Sequence, residues 1–160
     1  MLVLWLPQRE QVIVGPMALL APLTMVLLGR PGLDELGLGL RGLVASLWIL
    51  PAAVGLTVAS VLVARSVGTF HPLYNPDLLH VGGYVLWTVY QQFLLQDYFM
   101  PRLTRTLTSD SGIAVAAVLF AAAHLPNLSL TLATLVWGAV SCLLFRRYRN
   151  LYVLGLAQGC

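Results

Sequence analysis

Between Asp110 and Arg146 the chain runs for 35 residues without a charged side chain. A helix crosses the hydrocarbon core of a bilayer in about 20 apolar residues, so this run is too long for one span and too apolar for the surface of a water-soluble domain. It is interrupted once, at His124-Leu125-Pro126-Asn127. Proline lacks a backbone N–H and disfavours helical dihedrals in the residue before it, and asparagine suits the cap of a following helix. The run therefore predicts two helices that meet near Leu125. Residues 11 to 29, 42 to 64 and 78 to 96 are also free of charge, and Leu151 to Gln158 begins a further apolar helix. With 59% hydrophobic and 9% charged residues, against about a quarter charged in soluble domains, composition agrees. The segments are continuously apolar, whereas a membrane barrel needs alternation. The expectation is an all-α fold: a polytopic membrane helix bundle of about five to six transmembrane helices, forming a single integral membrane domain over residues 1–160.

The ends of the chain give less. MLVLWLPQRE has no basic leader region and no small-residue cleavage site, so it does not read as a secretory signal; it suits an interfacial lead-in or the end of a lost helix. The last ten residues are too few to span, so the chain is expected to be a fragment or to end inside the membrane.

All nine basic residues are arginines and the net charge is +3. The only basic cluster is Arg146-Arg147-Tyr148-Arg149, too small for a phosphate-tracking face, so no nucleic acid is expected as a partner. The lipid bilayer is. If the loops alternate sides, Arg30, Arg41, Arg102, Arg105, Arg146, Arg147 and Arg149 fall on one side and Arg9 and Arg65 on the other. The positive-inside rule puts the first set in the cytoplasm, the N-terminus outside, and the Pro- and Gly-containing segment 65 to 80 in an outer loop. Cys142 and Cys160 show neither metal-ligand nor disulfide spacing.

Chemistry concentrates in the third uncharged segment. His80, Tyr84, Thr88, Gln91 or Gln92, and Gln96 recur every three to four residues and form a polar stripe on one helical face. Such a stripe in a membrane helix marks a cavity or a helix–helix interface held by amide hydrogen bonds. At about 1.5 Å per residue, Gln91 lies about 15 Å in from Pro101, Gln158 about 13 Å in from Arg149, and His124 about 21 Å from Asp110. Three helices are thus expected to bring Gln91 and Gln92, His124 and Gln158 together near the midplane. An intramembrane histidine is a functional candidate, with a bond to a neighbouring carbonyl as the alternative.

Three segments carry a resemblance. QQFLLQDYF (91 to 99) resembles the EExxxR motif of the CAAX protease and bacteriocin-processing (CPBP, or Abi) family, FAAAHLPN (120 to 127) resembles its FxxxH motif, and RNLYVLGLAQGC (149 to 160) resembles the start of the helix bearing its third motif. Order and spacing fit along residues 80–160. The resemblance implies a multi-helix intramembrane endopeptidase in a membrane such as the bacterial plasma membrane, with a peptide or prenylated protein as substrate and no cofactor. In the family the first Glu activates water, while histidines and an Asn hold that water or the oxyanion. By position Gln91 stands for this Glu, Gln92 for its neighbour, Gln96 for the Arg, and Gln158 for the third-motif His; His124 is the second-motif His. Phe120 and Asn127, which flank it, are the substrate-binding candidates. The third-motif Asn would fall at position 162, so the motif region is expected to be truncated.

The substitutions change the chemistry. A carboxamide has no usable pKa as a base, so Gln91 can position a water but not activate it. With no carboxylate to pair, an arginine at position 96 loses its role. One histidine among amides makes a poor zinc site, so no metal is expected. Asp97 is expected to pair with Arg102 or another interfacial arginine. The expected function is a CAAX prenyl protease-like scaffold with reduced, altered or lost hydrolysis; the alternatives are an enzyme using His124 as base and a helical membrane binding or assembly protein.

Overall fold

The computed structural model describes residues 8–70 and 77–160, and every regular element among them is helical. In chain order these are α1 (Gln8–Leu28), α2 (Leu43–Ser46), α3 (Ile49–Ser66), α4 (Leu78–Phe93), a π-helical segment (Leu94–Phe99), α5 (Met100–Thr106), α6 (Ser109–Ala122), α7 (Leu128–Tyr148) and α8 (Leu151–Gly159). The lead-in over residues 1–7 and part of the expected outer loop, residues 71–76, lie outside the described residues.

Among the described residues two helical lengths, Leu43–Ser66 and Leu128–Tyr148, are long and apolar enough to cross a membrane, with mean hydropathy of 2.2 and 2.0. Helix α6 has 14 residues, which at about 1.5 Å each falls short of a core about 30 Å thick. The distribution of side chains is inverted relative to a water-soluble protein. Leu56, Leu62 and Val63 of α3 are 59 to 70% exposed, while Thr88, Gln92, Gln96, Ser141 and Asn150 are at most 1% exposed. In water that arrangement would leave large apolar patches bare; in lipid it is the favourable one.

Local chemistry sets the helix ends. The chain breaks between Ala122 and Leu128, and Asn127 Oδ1 accepts from the Leu130 backbone N–H at 3.0 Å. Asn150 repeats the device for α8, accepting from Val153 at 3.0 Å while its Nδ2 donates to the Gly39 carbonyl at 3.3 Å. The 30–42 connection is thereby pinned to the α7–α8 corner, where Leu151 N also donates to Gly37 O. Gly42, at φ 73°, passes so close to the Tyr148 carbonyl that a Cβ would overlap it.

Asp77 caps α4, its carboxylate accepting from His80 N at 2.8 Å and meeting the His80 ring at 2.7 Å. The backbone N–H of His80, and then its ring, hold the Asp77 carboxyl below the usual carboxylate range. A group depressed on folding contributes fully above its unfolded pKa and is lost as pH falls through its folded one. Acid titration followed by far-UV circular dichroism is expected to show a loss of helix below the ordinary Asp range, and Asp77→Asn, which keeps the cap without the charge, removes that step.

Two packed clusters hold the bundle. One gathers Phe93, Phe145, Leu151, Val153 and Leu154 with Val26 and Ile49. The other joins Leu95, Met100, Ile113, Ala116 and Cys142, with Phe120 packed against it. The π segment belongs to both, through Leu94 and Leu95.

Candidate functional site

Where α4, α7 and α8 meet, amides from α4, the π segment and α8 join an indole and a hydroxyl from α7 in one cluster. Gln92 Nε2 donates to Gln158 Oε1 at 2.6 Å, and Trp137 Nε1 donates to the same oxygen at 3.1 Å. Gln158 Nε2 in turn donates to Gln91 Oε1. Gln96 Nε2 donates to Gln92 Oε1 at 3.1 Å and lies 3.3 Å from Ser141 Oγ, whose own hydroxyl donates to the Gly138 carbonyl. Gln158 is the hub: its carbonyl oxygen receives two donors, which fills both lone pairs. The cluster holds no ionisable group. Gln92, Gln96 and Ser141 are buried, while Gln91 and Gln158 are half-buried and form its accessible edge.

Local geometry explains the gathering. Positions 88, 92 and 96 share one face of α4 and its continuation, and all three are buried. His80 and Tyr84, the outer part of the same stripe, are exposed. The π segment begins within the motif, and its wider turn turns Leu95, Gln96 and Asp97 inward in succession, at 1, 1 and 8% exposure. Short π stretches recur at functional sites. Helix α8 reaches α4 because Gly155 sits against Val89: a Cβ there would lie 2.5 Å from Val89 Cγ2 and 2.8 Å from its Cα. Small residues permit this close approach between helices, and Gln158 follows Gly155 by one turn just as Gln92 follows Val89.

His124 makes its hydrogen bond back to α6 and none to the amide cluster. It lies beyond the end of α6, half-buried, with Nδ1 2.8 Å from the Phe120 carbonyl and its ring edge-on to the Phe120 ring at 5.1 Å between centroids. Phe120 meets α7 at Gly138, next to Trp137. Through Phe120 the histidine is linked to the α7 helix that carries Trp137. Asn127 is exposed, with its side-chain oxygen engaged as the α7 cap, and Phe120 is half-buried in the second core.

Asp97 forms no contact ion pair with an arginine, although Arg149 lines the same cavity and acts on it through its charge. Among the described residues the ion pairs are His80 with Asp77 and Arg146 with Asp110. Arg102 instead lies over the Tyr98 ring at 4.0 Å and donates to the Tyr98 carbonyl at 2.7 Å; its position five residues after Asp97 brings it onto the next residue's ring. Trp137 and Ser141 are site residues that sequence reasoning passes over. Their four-residue spacing on α7 was the available signal, and it is faint inside an apolar span.

A family model described as type II CAAX prenyl endopeptidase Rce1-like matches residues 16–160, which extends well beyond the three motif segments. Searches among curated proteins and among solved structures return no significant match.

Proposed function

We propose that this chain, which belongs to the type II CAAX prenyl endopeptidase Rce1-like family, retains the membrane-embedded scaffold of that family and holds a lipidated or other peptide without efficiently cleaving it. The observation that carries this reading is the Gln158 hub, in which the positions resembling the family's Glu, Glu, Arg and third-motif His hydrogen-bond to one another as neutral amides.

Peptide hydrolysis needs a group that takes a proton from water as it attacks and returns one to the leaving amine. Gln91, Gln92, Gln96 and Gln158 offer amide donors and acceptors, suited to orienting a peptide group or an oxyanion, but none accepts that proton. His124 is the histidine of the second motif segment, and its Nδ1 is turned to the Phe120 carbonyl. That contact suits an Nδ1–H tautomer whose Nε2 is left as acceptor. The half-buried edge formed by Gln91 and Gln158 is the reading's docking point for a peptide backbone, with Phe120 and Asn127 flanking His124.

Use of these amides between α4, α7 and α8 also favours a second reading, in which the stripe serves assembly of the bundle or association with a partner helix. A fluorescent farnesylated CAAX peptide, titrated into the purified protein in lipid nanodiscs, separates the two. The scaffold reading predicts saturable binding that weakens about tenfold in Gln91→Leu. Absence of saturable binding, with Gln91→Leu altering only the oligomeric state, overturns it in favour of assembly.

A further inference from the structure

A cavity of about 560 Å³ opens beside the π segment. One wall is the end of α1, with Met25 and Val26; another is the 31–36 turn, which contributes Glu35; the inner wall is Gln96 and Asp97; and Arg102, Arg105 and Arg149 also line it. Its size is that of a ligand site.

Two features specify an occupant. First, the inner-wall side chains carry acceptors with no donor: among the described residues, Gln96 Oε1 and Asp97 Oδ2 are unpartnered and lie beneath the wall with almost no accessible area of their own, on residues of 1 and 8% exposure. Buried acceptors without donors are rare because each has given up water for nothing in return. Second, three guanidinium groups share the lining. Arg102 spends one N–H on Tyr98 O, and Arg149 donates to the Glu35 carbonyl, which leaves most of each five-donor fork for a ligand. The occupant must therefore present hydrogen-bond donors, best as a cation, to the inner wall and an anion to the arginines. It needs an apolar portion for Met25 and Val26. All three arginines fall on the Arg-rich side of the chain, the level at which phospholipid headgroups sit.

We infer that this cavity is a binding site for an aminophospholipid, with the primary ammonium of its headgroup at Gln96 Oε1 and Asp97 Oδ2, its phosphodiester at Arg102, Arg105 and Arg149, and the start of one acyl chain along Met25 and Val26. Gln96 is the only residue this site shares with the amide cluster, so the inference holds whether or not a peptide binds there.

The test is binding of short-chain lipids to the full chain in detergent, read by native mass spectrometry and by thermal shift. Dihexanoyl-phosphatidylethanolamine is expected to bind at least about tenfold more tightly than dihexanoyl-phosphatidylcholine, whose trimethylammonium donates no hydrogen bond, and more tightly than phosphoethanolamine, which has no chains. Arg105→Gln is expected to weaken the first lipid about tenfold, and Asp97→Asn to shrink the preference between the two lipids. Equal binding of the two lipids by the unaltered protein overturns the ammonium site, and this comparison needs no variant to fold. Phosphoethanolamine binding as tightly as the lipid overturns the acyl contact. A folded Arg105→Gln protein that binds phosphatidylethanolamine unchanged overturns the phosphate contact.

Discussion

Replacing Gly155 with alanine is expected to destabilise the protein by about 2 to 3 kcal/mol, the upper part of the range for overpacking a close contact. The added methyl would stand 2.5 Å from Val89 Cγ2 and 2.8 Å from Val89 Cα. The side chain can turn away, but the backbone atom moves only if α4 and α8 separate. Separation also draws Gln158 away from Gln92 and Gln91, so the variant is expected to lose the amide cluster along with stability. Val89→Ala removes the Cγ2 clash and leaves the Cα clash, and is expected to restore part of the loss in the double variant. Gly55→Ala is the control, because nothing lies within 4 Å of that position and alanine favours the α3 helix by up to about 1 kcal/mol. Reversible unfolding in mixed micelles measures all four proteins. A Gly155→Ala protein as stable as Gly55→Ala would show that the two helices do not approach this closely.

Gln158→Leu is expected to cost about 2 to 3 kcal/mol, from three hydrogen bonds at about 0.6 to 1 kcal/mol each in a membrane bundle. Leucine nearly matches the volume, so the loss falls on partners rather than on packing: Gln92 Nε2 and Trp137 Nε1 lose their acceptor and Gln91 Oε1 its donor. Trp137 offers a local readout in the same experiment. Its indole N–H moves from a hydrogen-bonded to an unbonded environment, and a blue shift of fluorescence is expected that is absent when Trp137 is first replaced by phenylalanine. An unchanged unfolding free energy together with an unchanged spectrum would contradict the hub geometry.

Helix boundaries were the most legible part of the sequence. Pro126 with Asn127 places the α6–α7 break, and the apolar run from Leu151 after the arginine cluster places α8, where the structure has them, because capping and proline sterics act within a few residues. Gln91, Gln92, Gln96 and Gln158 stand out because amides in apolar helices have to find partners. What the sequence conceals depends on distances between helices. Gly155 resembles any helical glycine until Val89 is seen against it, and Trp137 resembles an ordinary apolar side chain until its N–H is seen at Gln158. Depth counting carries the helix from Asp110 through to His124, whereas the chain leaves α6 two residues earlier. The π segment has no simple sequence signature, and it is what buries Asp97 beside Gln96.

The resulting picture links composition to chemistry. A chain with 9% charged residues has the motif order of an endopeptidase family, with amides in place of the charged motif side chains. On the proposed reading, the absence of a base at position 91 costs about 10² to 10⁴ in rate. The most direct measurement is release of the C-terminal tripeptide from a farnesylated CAAX peptide, followed by mass spectrometry between pH 5 and 9 with the purified protein in nanodiscs. No release above the protein-free control at any pH is the result expected of a neutral amide site; release that rises through the histidine range and vanishes in His124→Ala would contradict it.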